Sequence, residues 1–256
     1  MKHTSPRALL LAMSMLACAI PASQALASPL DWIAGEKVQG SGTIKKQARE
    51  LAHFNGVALS LPGSMELRIG NTEGITIETD DNLLPLIETV IENGTLKIRP
   101  TKRNTNLQAH TLKIVLSAKD VERLSLGGSG SIDSDALHGT KLQFDLGGSG
   151  SIRLKGMEGD AVAITVGGSG NFKSGGGKAG SLSVSIGGSG DVDVSQVQVS
   201  DASVSVAGSG TANVWATSGL SVTIAGSGDV NYYGDPKVSR SVVGSGGTKR
   251  LGGAPR

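Results

Sequence analysis

The sequence is poor in aromatic residues, has one cysteine, and contains no apolar run long enough to cross a bilayer. Aromatics make up 3% of its 256 residues although 38% are hydrophobic, so the core has to be aliphatic and spread over many similar layers. The single cysteine is Cys18. If it is removed with the leader, disulfides, thiolate nucleophiles and cysteine-based metal sites are excluded. The longest apolar run, Ala8 to Ile20, has 13 residues, short of the roughly 20 that a spanning helix needs.

That run follows Lys2 and Arg7 and precedes Ala25-Leu26-Ala27, the layout of a signal peptide over residues 1–27. A second option is cleavage before Cys18 with lipidation of its sulfur, although Met15-Leu16-Ala17 is a poor lipoprotein sequence. Either way the protein is expected to be exported, to the periplasm or the cell surface. Charge is also scarce in its net effect. Taking Lys2 and Arg7 from the 24 basic residues leaves 22 against 22 acidic ones, so the mature chain is neutral and has no long-range pull toward nucleic acid or anionic lipid.

What the sequence has in abundance is periodic glycine. Gly-Ser-Gly recurs with its glycines at Gly128 and Gly130, Gly148 and Gly150, Gly168 and Gly170, Gly188 and Gly190, Gly208 and Gly210, Gly226 and Gly228, and Gly244 and Gly246. The spacing is 20 residues through Gly208 and 18 thereafter. Such a period marks stacked units that complete one another's core. Before each motif, apolar residues alternate with small polar ones: Leu124, Phe144, Ile164, Val184, Val204 and Val222 form one column, and Leu126, Leu146, Val166, Ile186, Val206, Ile224 and Val242 the next. Period-two alternation defines a half-buried strand. After the glycines, Ile132, Ile152, Phe172, Val192, Ala212 and Val230 form a second inward column, and Leu137, Met157 and Val197 suggest a third side.

The pattern predicts an all-β, single-domain parallel β-helix (β-solenoid) with coils of about 20 residues, right-handed by preference. The glycines are read as structural corners, where positive φ or close backbone approach is needed once per coil. Residues 28–42 form an N-terminal segment or cap, which includes Gly40-Ser41-Gly42. Residues 43–120 are irregular N-terminal coils, 121–246 the regular repeat of the same domain, and 247–256 a C-terminal tail. Leu83 to Ile91 fits a short helix or another strand.

His53-Phe54-Asn55-Gly56-Val57, Asp80-Asp81-Asn82-Leu83-Leu84, Asn93-Gly94-Thr95-Leu96-Lys97-Ile98 and Leu124-Ser125-Leu126-Gly127-Gly128-Ser129-Gly130 occur in that order. In this the chain resembles the GIN-domain family, known as head domains of auto-transporter adhesins, across about residues 40–246. The resemblance implies an exported bacterial β-solenoid of poorly defined role. The sequence offers no segment after Arg256 for an outer-membrane barrel, so self-translocation is not expected.

Catalytic chemistry finds little support. The Asp of calcium-binding Gly-Gly-x-Gly-x-Asp rolls is replaced by Ile132, Ile152, Phe172 and their equivalents. No helix follows the glycine corners, as a phosphate loop would require. The outward column Asp133, Arg153, Lys173, Asp193, Asn213, Asn231 alternates in charge and reads as mutual compensation. His53, His110 and His138 lack ligand or triad spacing. No catalytic residue, cofactor or metal is therefore expected. Lys97, Arg99, Lys102 and Arg103 are read as a strand end and loop, with an anionic-glycan or lipid patch as the alternative. Trp215 and Tyr233 are candidate surface contacts for sugar rings, with local packing as the plainer role.

The remaining feature is an outward ladder of hydroxyls, Ser183, Ser185, Ser203, Ser205, Ser221, Thr223, Ser239 and Ser241. It suits repeated weak contacts with a glycan or a cell-surface protein. The expected function is a non-catalytic, adhesin-like binding or scaffolding module of the envelope. The alternatives are a polysaccharide-active solenoid enzyme and a structural protein that oligomerises through its open strand edges.

Overall fold

The structure is a computed structural model and describes residues 36–255. The segment read as a signal peptide, with Cys18, lies outside the described residues. From the N-terminus the strands are β1 (Glu36–Gln39), β2 (Ile44–Glu50), β3 (Gly56–Leu59), β4 (Ser64–Ile69), β5 (Gly74–Asp80), β6 (Ile87–Glu92), β7 (Thr95–Pro100), β8 (Thr105–Gln108) and β9 (Leu112–Ala118). The repeat supplies β10 (Arg123–Gly128), β11 (Ser131–Ser134), β12 (Leu137–Gly148), β13 (Ser151–Leu154), β14 (Met157–Gly168), β15 (Asn171–Ser174), β16 (Gly177–Gly188), β17 (Asp191–Gly208), β18 (Thr211–Gly226), β19 (Asp229–Tyr233), β20 (Lys237–Gly244) and β21 (Gly247–Gly252).

These strands stack as a β-solenoid. One face runs β10, β12, β14, β16, β17, β18, β20, all parallel, and Gly128, Gly148, Gly168, Gly188, Gly208, Gly226 and Gly244 stand in register along it. The second face runs β11, β13, β15, β17, β18, β19, β21. The alternation read from the sequence points the aliphatics inward: Leu124, Phe144, Ile164, Val184, Val204 and Val222 are each at most 1% exposed. Phe144 and Phe172 touch inside the stack, with ring centroids 5.0 Å apart.

The two glycines of each Gly-Ser-Gly meet different demands. Gly168 has φ +113, a conformation that L side chains rarely adopt. Gly170 has no such φ, but a Cβ there would lie 2.7 Å from Leu146 Cδ2 and 2.8 Å from the Gly150 carbonyl oxygen of the preceding coil.

The shortening from 20 to 18 residues can be located. Val194 pairs with Val214, but Gln198 already pairs with Trp215, so Ser195 to Val197 have no counterpart in the next coil. One residue is regained before Gly219, which pairs with Asp201. Trp215 and Tyr233 occupy this tightened corner on adjacent rungs.

The N-terminal coils are not stacked in chain order. β3 pairs with β10 on one side and β7 on the other, and β4 lies between β11 and β9. The coil formed by β3 and β4 is therefore enclosed by later segments. β5 and β6 run antiparallel to β9 and β7, and β2 runs antiparallel to β5. Leu83 to Ile91 is both things read from it: a 3₁₀ turn at Leu84–Leu86, then β6. Residues 247–252, read as the start of a tail, form β21, paired with β19. Thr248, Lys249 and Arg250 follow Val230, Asn231 and Tyr232 in register, so backbone pairing continues after the apolar column that would have signalled it has ended.

β1 pairs with β8 apart from the main stack, and the segment after it is clamped by Asp80-Asp81-Asn82. The Asn82 side chain accepts the Ser41 N–H at 2.9 Å and donates to the Gln39 carbonyl at 2.8 Å. Asp81 accepts the Ser41 hydroxyl at 2.6 Å. Asp80, fully buried, accepts the Gly42 N–H at 2.7 Å and the His110 N–H and ring at 2.9 Å each. Burial pushes the Asp80 carboxyl up, but hydrogen bonds from Gly42 and His110 outweigh it and hold the group below its ordinary value. A depressed folded-state pKa contributes stability above the unfolded value of about 4 and loses it as pH falls through the folded value. We expect Asp80→Asn to lower the unfolding midpoint at pH 7 and the difference from the parent protein to shrink on acidification. A gap that stayed constant in denaturant titrations from pH 7 to 2.5 would count against this clamp.

Candidate binding trough

The first face carries a concavity of about 680 Å³ that crosses six coils from Lys141 to Lys237. It follows from the register. Outward residues form two rows, Lys141, Ala161, Ser181, Asp201, Gly219, Lys237 and Gln143, Ala163, Ser183, Ser203, Ser221, Ser239. Four successive coils place nothing larger than Asp between the ends, so the backbone itself forms much of the floor. Leu142, Val162, Leu182, Ala202 and Leu220 stand between the rows with side chains turned to the core. With strands about 4.8 Å apart, five intervals give a length of about 24 Å.

The chemistry of the lining is plain: methyl groups of Ala161 and Ala163, hydroxyls of the serines, the Gln143 amide, one carboxylate at Asp201, and a lysine at either end. Neither lysine has an ion-pair partner among the described residues. Two carboxylates facing across a cleft, as glycoside hydrolysis needs, do not occur in this lining.

The structure distributes the other nominated residues elsewhere. Among the described residues no group of three or more His, Cys, Asp or Glu could hold a metal ion. The histidines stay apart, each beside different acids: His53 with Glu73 at 2.7 Å and Asp120 at 4.0 Å, His110 with Asp80 at 2.9 Å, His138 with Glu158 at 3.7 Å. In the alternating column, Arg153 approaches Asp133 at 3.5 Å and Lys173 approaches Asp193 at 3.2 Å. The basic segment is largely neutralised within the fold. Lys97 meets Glu92 at 2.5 Å, Arg99 meets Glu88 at 2.9 Å and Glu92 at 3.1 Å, and Lys102 lies 3.7 Å from Glu36.

Trp215 and Tyr233 are neighbours on adjacent rungs and half-buried. A Cβ on Gly234 would meet Trp215 Cδ1 at 3.4 Å, and one on Gly252 would meet the Tyr233 ring at 3.7 Å. Each ring thus covers a glycine of the following rung, which favours packing over a free stacking platform. The corner glycines and both aromatics lie outside the trough. Ser183, Ser203, Ser221 and Ser239 of the hydroxyl ladder line it, whereas Ser185, Ser205, Thr223 and Ser241 continue the face beyond it. Sequence reading missed the parallel row of Lys141, Ala161, Ser181, Asp201, Gly219 and Lys237. Its signal was the absence of large side chains at one repeat position.

The pattern of a family described as "Putative auto-transporter adhesin, head GIN domain" matches residues 53–236. Comparison with curated proteins gives no match. Among solved structures, a "putative lipid binding protein" from Parabacteroides distasonis is 24% identical, with a TM-score of 0.71, over 84% of this chain and 100% of that one. A "putative adhesin" from Bacteroides fragilis is 20% identical with a TM-score of 0.78 over the same shares. Another from Parabacteroides merdae is 20% identical, with a TM-score of 0.68, over 85% of this chain and 100% of that one. At these identities the likeness is one of fold.

Proposed function

The chain belongs to the family described as "Putative auto-transporter adhesin, head GIN domain", and from that premise we propose that it is an exported, non-catalytic binding module of the cell envelope, adhesin-like, with its ligand lying along the trough. The observation that carries this reading is the repetition of small side chains over about 24 Å at a strand spacing of about 4.8 Å. A face of that kind offers the same contact on every rung. It fits an extended polymer, such as a glycan strand, whose affinity is a sum of weak equivalent contacts. Among the described residues no helix is long and apolar enough to cross a membrane.

A second reading is an acyl chain laid on the alanine floor with its anionic head at Lys141 or Lys237. The mostly apolar lining and the lysine at each end favour it.

Ser203→Trp would place a large ring in the middle of the floor without touching the core. It is expected to weaken ligand binding about tenfold or more, the equivalent of at least about 1.4 kcal/mol, with the melting temperature unchanged. Glycan arrays and fatty-acid displacement, each run with the parent protein and this variant, separate the two ligands. Binding on either platform that Ser203→Trp leaves intact would remove the trough from consideration. Release of reducing ends or unsaturated sugars from any polysaccharide would replace the module by an enzyme.

A further inference from the structure

The two ends of the coil stack are finished differently. At the N-terminal end the antiparallel strands β2, β5 and β6 cover the first coils, and among the described residues β6 pairs with β7 alone. The other side of β6 is plugged by Arg49, which donates to the Ile87 carbonyl at 2.9 Å, the Thr89 hydroxyl at 3.0 Å and the Leu84 carbonyl at 3.2 Å. At the opposite end β20 and β21 pair with β18 and β19, and among the described residues no strand lies beyond them. Val238 and Val242, 40% and 39% exposed, continue the core rows of Leu220 and Ile224, and Arg240 stands where the preceding coil has Val222.

This last coil is also one-signed. Residues 236–255 contain Lys237, Arg240, Lys249 and Arg250 and no acid. Arg250 reaches Asp235 at 3.6 Å, while Lys237, Arg240 and Lys249 have no acidic partner among the described residues. Three cations without an acidic partner thus stand together on the last coil, beside a strand edge whose backbone groups are unpaired too.

We propose that this end is a docking edge for an extended acidic segment of another protein, which adds to β20 as the next rung. Its side chains would read aliphatic, any, acidic, any, aliphatic, to lie over Val238, Arg240 and Val242. Main-chain pairing supplies affinity and the alternate side chains supply selectivity. A second copy meeting end to end would set Arg240 against Arg240, which is repulsive. One segment of the chain itself has the pattern, Leu86-Ile87-Glu88-Thr89-Val90, but Glu88 is held by Arg99 and the strand is plugged by Arg49. A lipid headgroup would neutralise the cations and leave the backbone groups of β20 unpaired.

The probe is a fluorescein-labelled synthetic peptide, Thr-Val-Thr-Glu-Thr-Val-Thr, titrated with the full chain by fluorescence anisotropy. Saturable binding is expected, about tenfold weaker when Lys replaces the Glu, and abolished when the peptide backbone is N-methylated. Arg240→Glu, with its melting temperature unchanged, should invert the preference toward the Lys peptide. Equal binding of the two peptides, retention by the N-methylated one, or self-association of the chain that excess peptide dissolves would each overturn the proposal. So would binding of anionic vesicles with none of the peptide.

Discussion

Gly168→Val should lower the melting temperature by roughly 10 °C, because two costs fall on one residue. At φ +113 a β-branched side chain is strained, and its Cβ would lie 2.5 Å from the Gly148 carbonyl oxygen, an atom of backbone that cannot swing aside. Strain of about 1–3 kcal/mol with overpacking of similar size totals about 2–6 kcal/mol, and a chain of this length loses roughly 2–4 °C per kcal/mol. The control is Gly187→Ala, one residue before the equivalent corner of the next coil, where an added Cβ meets nothing within 4 Å. That variant should lie within about 0.5 kcal/mol of the parent protein. Calorimetry that found the two variants alike would remove the conformational role assigned to the corner.

A loss of comparable size is expected from Phe144→Ala. Phe144 is 1% exposed and its ring meets that of Phe172 at 5.0 Å, tilted by 47°. With only three phenylalanines in the sequence, these two rings fill a volume that aliphatics fill in the other coils. Truncation removes the transfer free energy of the ring and leaves a cavity, together about 3–5 kcal/mol. The neighbouring rungs are fixed by backbone pairing on both sides and can close only part of the gap. Phe144→Leu, close to the residue present in equivalent rows, should recover most of the stability. Denaturant midpoints in which Leu was no better than Ala would show that packing at this site is not governed by volume.

How far these elements were legible in the sequence depends on whether each leaves a period. The columns through Leu124, Phe144 and Ile164 are spaced by the coil length, so register and inward face are legible in the sequence. The N-terminal coils leave no such trace. Gly56 pairs with both Thr95 and Arg123, separations that match no repeat, and alternation looks the same whether a strand's neighbour is parallel or antiparallel. The Asp80 clamp was hidden for the same reason, since its partners Gly42 and His110 are distant in sequence. The serines of the trough were visible as a ladder. That the floor they share with Ala161, Ala163 and Gly219 is hollow was not, because the row Ala161, Ser181, Asp201, Gly219 carries no apolar column to mark it and its small size shows only when the coils lie in register. β21 was missed because its central residues, Thr248, Lys249 and Arg250, carry none of the hydrophobic alternation by which strands are recognised.

The enclosure of the coil of β3 and β4 between later segments has a consequence for assembly. From Leu124 onward each turn finds its template in the turn synthesised just before it, at a loop-closure cost that is the same every time. The first template is different, since β3 is complete only when β7 has come back to one side of it and β10 to the other. The native pairings thus separate one non-local closure, with the larger entropic cost, from a series of equivalent local additions. For a chain that emerges N-terminus first, every strand of that closure through β10 precedes the regular turns, and each later turn has an edge beside which to lie.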